Sequence, residues 1–317
     1  MKKLLTLLLT SMLFFSAVAL AENIKQSTEK LEKVTVILDW FVNPDHAPLF
    51  VAQEQGYYRA QGLDVKFITP ANPTDAVKLV SVGKADIGID YQPHLLLEIT
   101  QGLPLVQVGT LIATPLNCLA VLASSQIRNL RSLKDKKIGY STGDIEKEIF
   151  QAMLENQGLN LKNIQWINVS YDLTQALLTK KVDAVVGLMR NFEPIQLQLA
   201  GHPAQVFYPE ENGMPPYDEL IYITRHDKRD DPRINRFLAA TEQGVQHLVN
   251  YPESSWQIFA EQHPELNNEL NRRAWFATLP RFALRPAAKD PQRCEVLAQY
   301  LARTMKMKID VNQVCSY

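Results

Sequence analysis

Apolar and polar positions along the chain fall into two alternating rhythms. Short apolar runs, such as VTVIL (34–38), ADIGI (85–89), CLAVL (118–122), KKIGY (136–140), DAVVGL (183–188) and ELIYIT (219–224), have the length and composition of buried strands. Between them lie stretches such as DAVKLVSV (75–82) and DLTQALLTK (172–180), where apolar residues return every three or four positions. That is the spacing of a helix with one buried face. Strand–helix–strand alternation predicts an α/β protein built on parallel-type sheets. Beyond Asp231 only helical spacing remains, in INRFLAATEQGVQHLVNYPESSWQIFAEQH and PQRCEVLAQYLARTMKM. These read as helices packed on the body rather than as a site.

The alternation occurs twice. AQGLDVKFI from Ala60 echoes NQGLNLKNIQWINV from Asn156, and DAVKLVSVGKADIGI from Asp75 echoes DLTQALLTKKVDAVVG from Asp172. In each copy one Asp opens the helix and another, Asp86 or Asp183, stands just before a small apolar strand. The repeat of about 96 residues is far too long for a solenoid unit, so two similar α/β lobes are the simplest account. The runs Cys118–Ile127 and Asp218–Asp227 close the two copies and are expected to cross between lobes as hinges. The expected division is residues 34–120 with 225–317 as lobe I, and 121–224 as lobe II. Two lobes on crossing strands describe a binding protein that closes a cleft around its ligand.

Composition narrows function by exclusion. A formal charge of −1 with no long basic run gives no footprint for nucleic acid. The opening MKKLLTLLLTSMLFFSAVALAENIK has two lysines, a short apolar run and the small residues Ala19 and Ala21. It reads as a signal peptide over residues 1–21, cleaved near Ala21. No Cys follows for lipid attachment and no other segment is long enough to span a bilayer, so the expected protein is exported and not integral to a membrane. Cys118, Cys294 and Cys315 are widely spaced, without CxxC or metal-ligand spacing. At most one disulfide can form, with Cys294 and Cys315 as candidates, and no metal site is expected.

In open α/β sheets, ligands sit beyond the carboxyl ends of the strands. There the first copy places Asp39, Trp40, Asn43 and His46, then Asp90, Tyr91 and His94. The second places Ser141, Thr142, Gly143 and Asp144, then Arg190, Asn191 and Glu193, and GMPPYDEL adds Tyr217, Asp218 and Glu219. Flat faces from Trp40, Tyr91 and Tyr217, beside acceptors from Asp39, Asn191, Glu193 and Glu219, suit a flat, nitrogen-rich heterocycle. Duller readings exist for each. Trp40 and Tyr91 serve equally as core aromatics, His46 and His94 as turn or core histidines, and Glu219 as a solvated hinge residue. STGD reads as a helix N-cap or an anion site, although the surrounding acids argue against an anionic ligand.

The stretch LDWFVNPDHAPLFVAQEQGYYRAQGLDVKFITPANPTDAVKLVSVGKADIGI, followed by SLKDKKIGY, KKVDAVVG and ELIYIT, resembles a family with two branches. One branch comprises thiamine-pyrimidine synthases, the other thiamine-pyrimidine-precursor binding proteins. The resemblance implies a two-lobed type II periplasmic binding protein fold, with two parallel-type sheets joined by two crossing strands. The binding branch implies a periplasmic protein that hands hydroxymethyl- or formylaminomethyl-aminopyrimidine to an ABC importer permease, with no cofactor. Its ligand set here would be Asp39, Trp40, Asn43, His46, Tyr91, His94, Gly143, Asn191, Glu193, Tyr217 and Glu219. The synthase branch implies pyridoxal phosphate, iron and a sacrificed histidine, matched by His94. It also needs a lysine four residues earlier, where this chain has Asp90. Its Gly-Glu-Phe-Gly-Lys phosphate loop is replaced by STGDIEK, and its cysteine-rich run by GMPPYDEL. The resemblance therefore favours a binding protein over an enzyme. The shared fold also leaves room for another small solute, such as a sulfonate or riboflavin.

Overall fold

The computed structural model describes residues 30–159 and 161–316; the expected signal peptide lies outside them. The first copy gives strands β1 (Glu32–Ile37), β2 (Leu63–Ile68), β3 (Ile87–Tyr91) and β4 (Leu105–Ile112). They are connected through helices α1 (Ala47–Glu54), α2 (Asp75–Ser81) and α3 (Gln92–Thr100). The second copy gives β5 (Asn117–Leu122), β6 (Lys137–Tyr140), β7 (Gln165–Asn168), β8 (Ala184–Met189) and β9 (Ala204–Phe207). Its helices are α4 (Asp144–Asn156), α5 (Leu173–Leu178) and α6 (Glu193–Leu199). Strand β10 (Leu220–Arg225) follows, and then helices α7 (Pro232–Asn250), α8 (Pro252–Gln262), α9 (Glu269–Thr278) and α10 (Pro291–Thr304).

Two five-stranded sheets result, in the orders β2-β1-β3-β10-β4 and β7-β6-β8-β5-β9. Position by position these are one topology, with β1, β2 and β3 answering to β6, β7 and β8. The repeated aspartates explain part of this. Asp86 Oδ2 accepts from the Thr35 amide at 2.8 Å, and Asp183 Oδ2 accepts from the Lys137 amide at 2.9 Å. Each thus pins the central strand of its own sheet at its amino end.

In each sheet one strand runs against its neighbours: β10 is antiparallel to β3 and β4, and β5 to β8 and β9. Each of these follows a strand of the other sheet, β5 after β4 and β10 after β9, so the chain changes sheets just before it. The passages between sheets are therefore 113–116 and 208–219, upstream of the runs expected to cross except at Asp218 and Glu219. A boundary at 120/121 would cut β5, and one at 224/225 would cut β10, although each strand lies whole in one sheet. Both are apolar central strands, and nothing in such a run tells which sheet pairs with it.

The first sheet is covered on one face by α1 and α7. They approach so closely that a Cβ on Gly244 would collide with the Pro48 carbonyl. Phe237, Leu238, Val245 and Leu248 of α7 are buried there with Val34, Val36 and Ile89. The other face packs Leu95 and Leu96 of α3 with Leu297 and Leu301 of α10. A Cys294–Cys315 disulfide ties the tail to α10, which settles the cysteine pairing, and Cys118 is a buried free thiol. The second sheet carries its own two clusters, one around Leu119, Ile138 and Phe150 and one around Leu173, Val185 and Leu188. No helix among the described residues is long and apolar enough to cross a membrane.

Candidate functional site

The chain leaves β1 at Ile37 and folds into a single helical turn, Pro44–His46. Asn43 caps it, accepting from the Asp45 amide at 2.8 Å, while its own amide donates to His46 Nδ1 at 3.3 Å. With Nδ1 engaged as an acceptor, Nε2 is left to donate to Asp39 Oδ1, 2.9 Å away. Tyr91, at the end of β3, donates its hydroxyl to the other oxygen, Oδ2, at 2.8 Å. His46 is wholly buried behind this pair. The turn thus exists to fix one carboxylate at the mouth of the first sheet.

The second sheet supports a carboxyl group by other means. The Ser141 and Thr142 amides donate to Glu146 Oε2 at 2.7 and 3.0 Å. Glu193, opening α6, accepts from the Met189 amide at 2.8 Å. Asp39, Asp45, Glu146 and Glu193 line one cavity between the carboxyl ends of the two sheets, with Trp40, Phe41, Asn43, Tyr91, Asn117, Thr142, Gly187, Met189 and Phe192. No Lys, Arg or His is among these lining residues. Burial pushes Asp45 up to about 6, Glu146 to about 7 and Glu193 to about 8. Asn117 Oδ1 is buried without a hydrogen-bond partner. Unmatched acceptors and acids without counter-charges call for a ligand rich in N–H donors.

The lobes touch across this cavity. Asn191 donates to Asp45 Oδ1 at 2.5 Å and to Thr278 Oγ1 at 2.6 Å. The Tyr171 hydroxyl donates to the Pro70 carbonyl at 3.2 Å, and the Trp40 ring meets the Tyr171 ring edge-on at 4.4 Å. The two passages are bracketed together as well. Glu219 Oε2 accepts from the Leu116 and Asn117 amides at 2.5 and 2.8 Å and from the Tyr217 hydroxyl at 3.1 Å. Arg190 donates to the Leu116 carbonyl, pairs with Glu210 at 2.5 Å and lies over the Tyr208 ring.

Asp39, Trp40, Asn43, Tyr91 and Glu193 are thus brought together around the cavity. The other expected site residues lie outside its lining. His46 stands behind Asp39. His94 packs edge-on beneath Tyr91 at 4.9 Å, and burial holds its imidazole down at about 3. Asn191 latches the lobes, Gly143 faces Thr74 across the cleft, and Tyr217 and Glu219 brace the passages. His46, Asn191, Tyr217 and Glu219 flank strand ends, but they hydrogen-bond to other protein groups rather than line the cavity. Missing from the expected ligand set were Phe41, Asp45, Asn117, Thr142, Glu146, Gly187, Met189 and Phe192. Glu146 hides in the helical pattern DIEKEIF, where one acid looks like any other surface acid. Gly187 alone carried a signal, a glycine interrupting an apolar strand.

Strand order and cavity together define a two-lobed fold of the periplasmic binding protein type. In line with this, the alkanesulfonate-binding protein of Xanthomonas axonopodis pv. citri superposes with a TM-score of 0.70 at 16% identity, covering 88% of this chain and 95% of its own. The family model NMT1/THI5 like matches residues 43–255, and the chain belongs to that family. A Haemophilus influenzae protein named for thiamine biosynthesis is 42% identical, covering 85% of this chain and 86% of its own. The formylaminopyrimidine-binding protein of Halalkalibacterium halodurans is 31% identical, covering 84% of this chain and 81% of its own. Synthases of 4-amino-5-hydroxymethyl-2-methylpyrimidine phosphate also match, the Legionella pneumophila protein at 26% identity over 79% of this chain.

Proposed function

We propose that this protein captures an aminopyrimidine precursor of thiamine outside the cytoplasm and delivers it to an ABC importer. The observation that carries this reading is the cavity between the sheets: four carboxyl groups, the open Asn117 acceptor, aromatic walls and no cation. An aminopyrimidine offers its exocyclic amine to such acceptors, its ring nitrogens can accept from a protonated carboxyl such as Glu193, and its flat faces suit Trp40, Phe41 and Tyr91. Export is supported by the signal-peptide pattern before residue 22, delivery to a permease by the fold, and the ligand class by the name of the Halalkalibacterium halodurans relative.

The synthase reading is favoured only by the names of more distant relatives. Pyridoxal phosphate does not fit the residues present. No lysine lines the cavity to supply an imine nitrogen, no cation waits for its phosphate, and Glu146 already occupies the Ser141 and Thr142 amides. Among the described residues, no group of three or more His, Cys, Asp or Glu side chains is placed to hold a metal ion.

Calorimetry with hydroxymethyl- and formylaminomethyl-aminopyrimidine, against an alkanesulfonate and riboflavin, tests the proposal. Saturable binding of an aminopyrimidine alone is expected. Preference for the sulfonate or riboflavin, or a borohydride-trapped pyridoxal phosphate adduct, would overturn it.

A further inference from the structure

The geometry points to Glu146 as the residue that makes this cavity refuse phosphorylated ligands. The inference rests on the aminopyrimidine reading and specifies which form of that ligand the site takes. The Ser141 and Thr142 amides precede the thirteen-residue helix α4, at its positive end. Free backbone N–H groups at such a place collect phosphate. Here the anion comes from the chain itself, because Glu146 Oε2 accepts from both amides. Its seat is completed by another element: a Cβ on Gly187 of β8 would overlap Glu146 Oε1, and Gly187 has φ +87°. Glu146, Thr142 and Gly187 all line the cavity.

A phosphate monoester entering this space would have to displace Glu146 from both amides. It would then face Asp39, Asp45 and Glu193 with no cation among the lining residues. A phosphate dianion buried there has no counter-charge to offset its lost solvation, and any ionised acid beside it adds repulsion. A hydroxymethyl or formylaminomethyl substituent carries no charge and escapes both obstacles. Glu146 thus fills with protein the place a phosphate would take, and the neighbouring acids reinforce the exclusion.

Calorimetry on the mature chain would compare 4-amino-5-hydroxymethyl-2-methylpyrimidine, its phosphate monoester and inorganic phosphate. The proteins are wild type, Glu146→Gln and Glu146→Ala, with folding checked by circular dichroism and melting. Wild type is expected to prefer the free alcohol over the ester by about a hundredfold and to ignore inorganic phosphate. Glu146→Ala should shrink that preference by about tenfold or more and gain measurable phosphate binding. Glu146→Gln, uncharged but still able to accept from the amides, should fall between, and it carries the test if the alanine variant does not fold. An unchanged preference in folded variants, with no phosphate binding gained, would overturn the assignment. Should wild type bind neither aminopyrimidine, the proposed function fails, and inorganic phosphate still decides: gain in the variants supports the role of Glu146, and no gain rejects it.

Discussion

The turn after β1 and the loop after β6 occupy equivalent places in one repeated topology, yet they hold their carboxyl groups differently. After β1 the support is side chain: His46 and Tyr91 each hydrogen-bond one oxygen of Asp39. After β6 it is backbone: two amides take one oxygen of Glu146, and Gly187 leaves room for the other. The conserved half of the repeat is scaffolding, as Asp86 and Asp183 show by making the same bond in both sheets. The repeat provides two equal frames, and the strand ends differ as two unequal walls around one cavity.

The comparison breaks most severely at Asp39 and Gly187. Asp39→Ala strands the buried His46 and Tyr91 donors, so it should cost about 2–4 kcal/mol of stability and abolish measurable aminopyrimidine binding. Chemical denaturation and calorimetry read both effects. Gly187→Ala forces a Cβ onto Glu146 and strains a positive φ, and about 2 kcal/mol of destabilisation is expected. Gly158→Ala is its control, with φ +78° but open space around the added carbon, and should cost less. Equal losses in the two glycine variants would remove the steric role assigned to Gly187.

A middling effect is expected at Trp40. Trp40→Ala should weaken aminopyrimidine binding by about 1–3 kcal/mol if the ring stacks on ligand, with titration calorimetry as the check. Its present edge-on contact with Tyr171 means that loss of lobe contact contributes as well, which Tyr171→Ala separates by removing the partner ring while leaving Trp40 in place.

Much of the scaffold was legible in the sequence because it rests on periodicity, and periodicity survives in single residues such as Asp86 and Asp183. The sheet assignment of β5 and β10 was not, since an all-apolar strand carries no mark of its partners. At the site, Asp39, Trp40 and Tyr91 could be read because they sit directly at strand ends. His94 and Glu219 sit there too, yet they face away from the cavity lining, and only three-dimensional contacts reveal it. Glu146 was invisible because its meaning comes from Gly187, some forty residues distant in sequence.

A smaller effect concerns pH. Burial raises Glu146 and Glu193 above the usual carboxylate range in the folded chain, so the folded state binds more protons than the unfolded one between the ordinary carboxylate pKa and about 8. Stability from these groups is full below pH 4.5 and is lost as pH rises through 7 and 8. Melting of the ligand-free protein should therefore fall from pH 5 to pH 8, and Glu193→Gln should flatten that slope. A slope unaltered by the substitution would remove Glu193 from the buried acids that set the pH dependence. The smallest effect is expected at His94, where substitution by Gln should change ligand affinity less than any replacement above, because its imidazole lies outside the cavity lining.

The most direct test is a crystal structure grown with saturating 4-amino-5-hydroxymethyl-2-methylpyrimidine. The ring should lie between the sheets, with its nitrogens within hydrogen-bonding distance of acceptors from both lobes, Asp39 or Asn43 on one side and Asn117, Glu146 or Glu193 on the other. A ring bound to one lobe alone, bound elsewhere, or absent from this cavity at saturation would contradict the account.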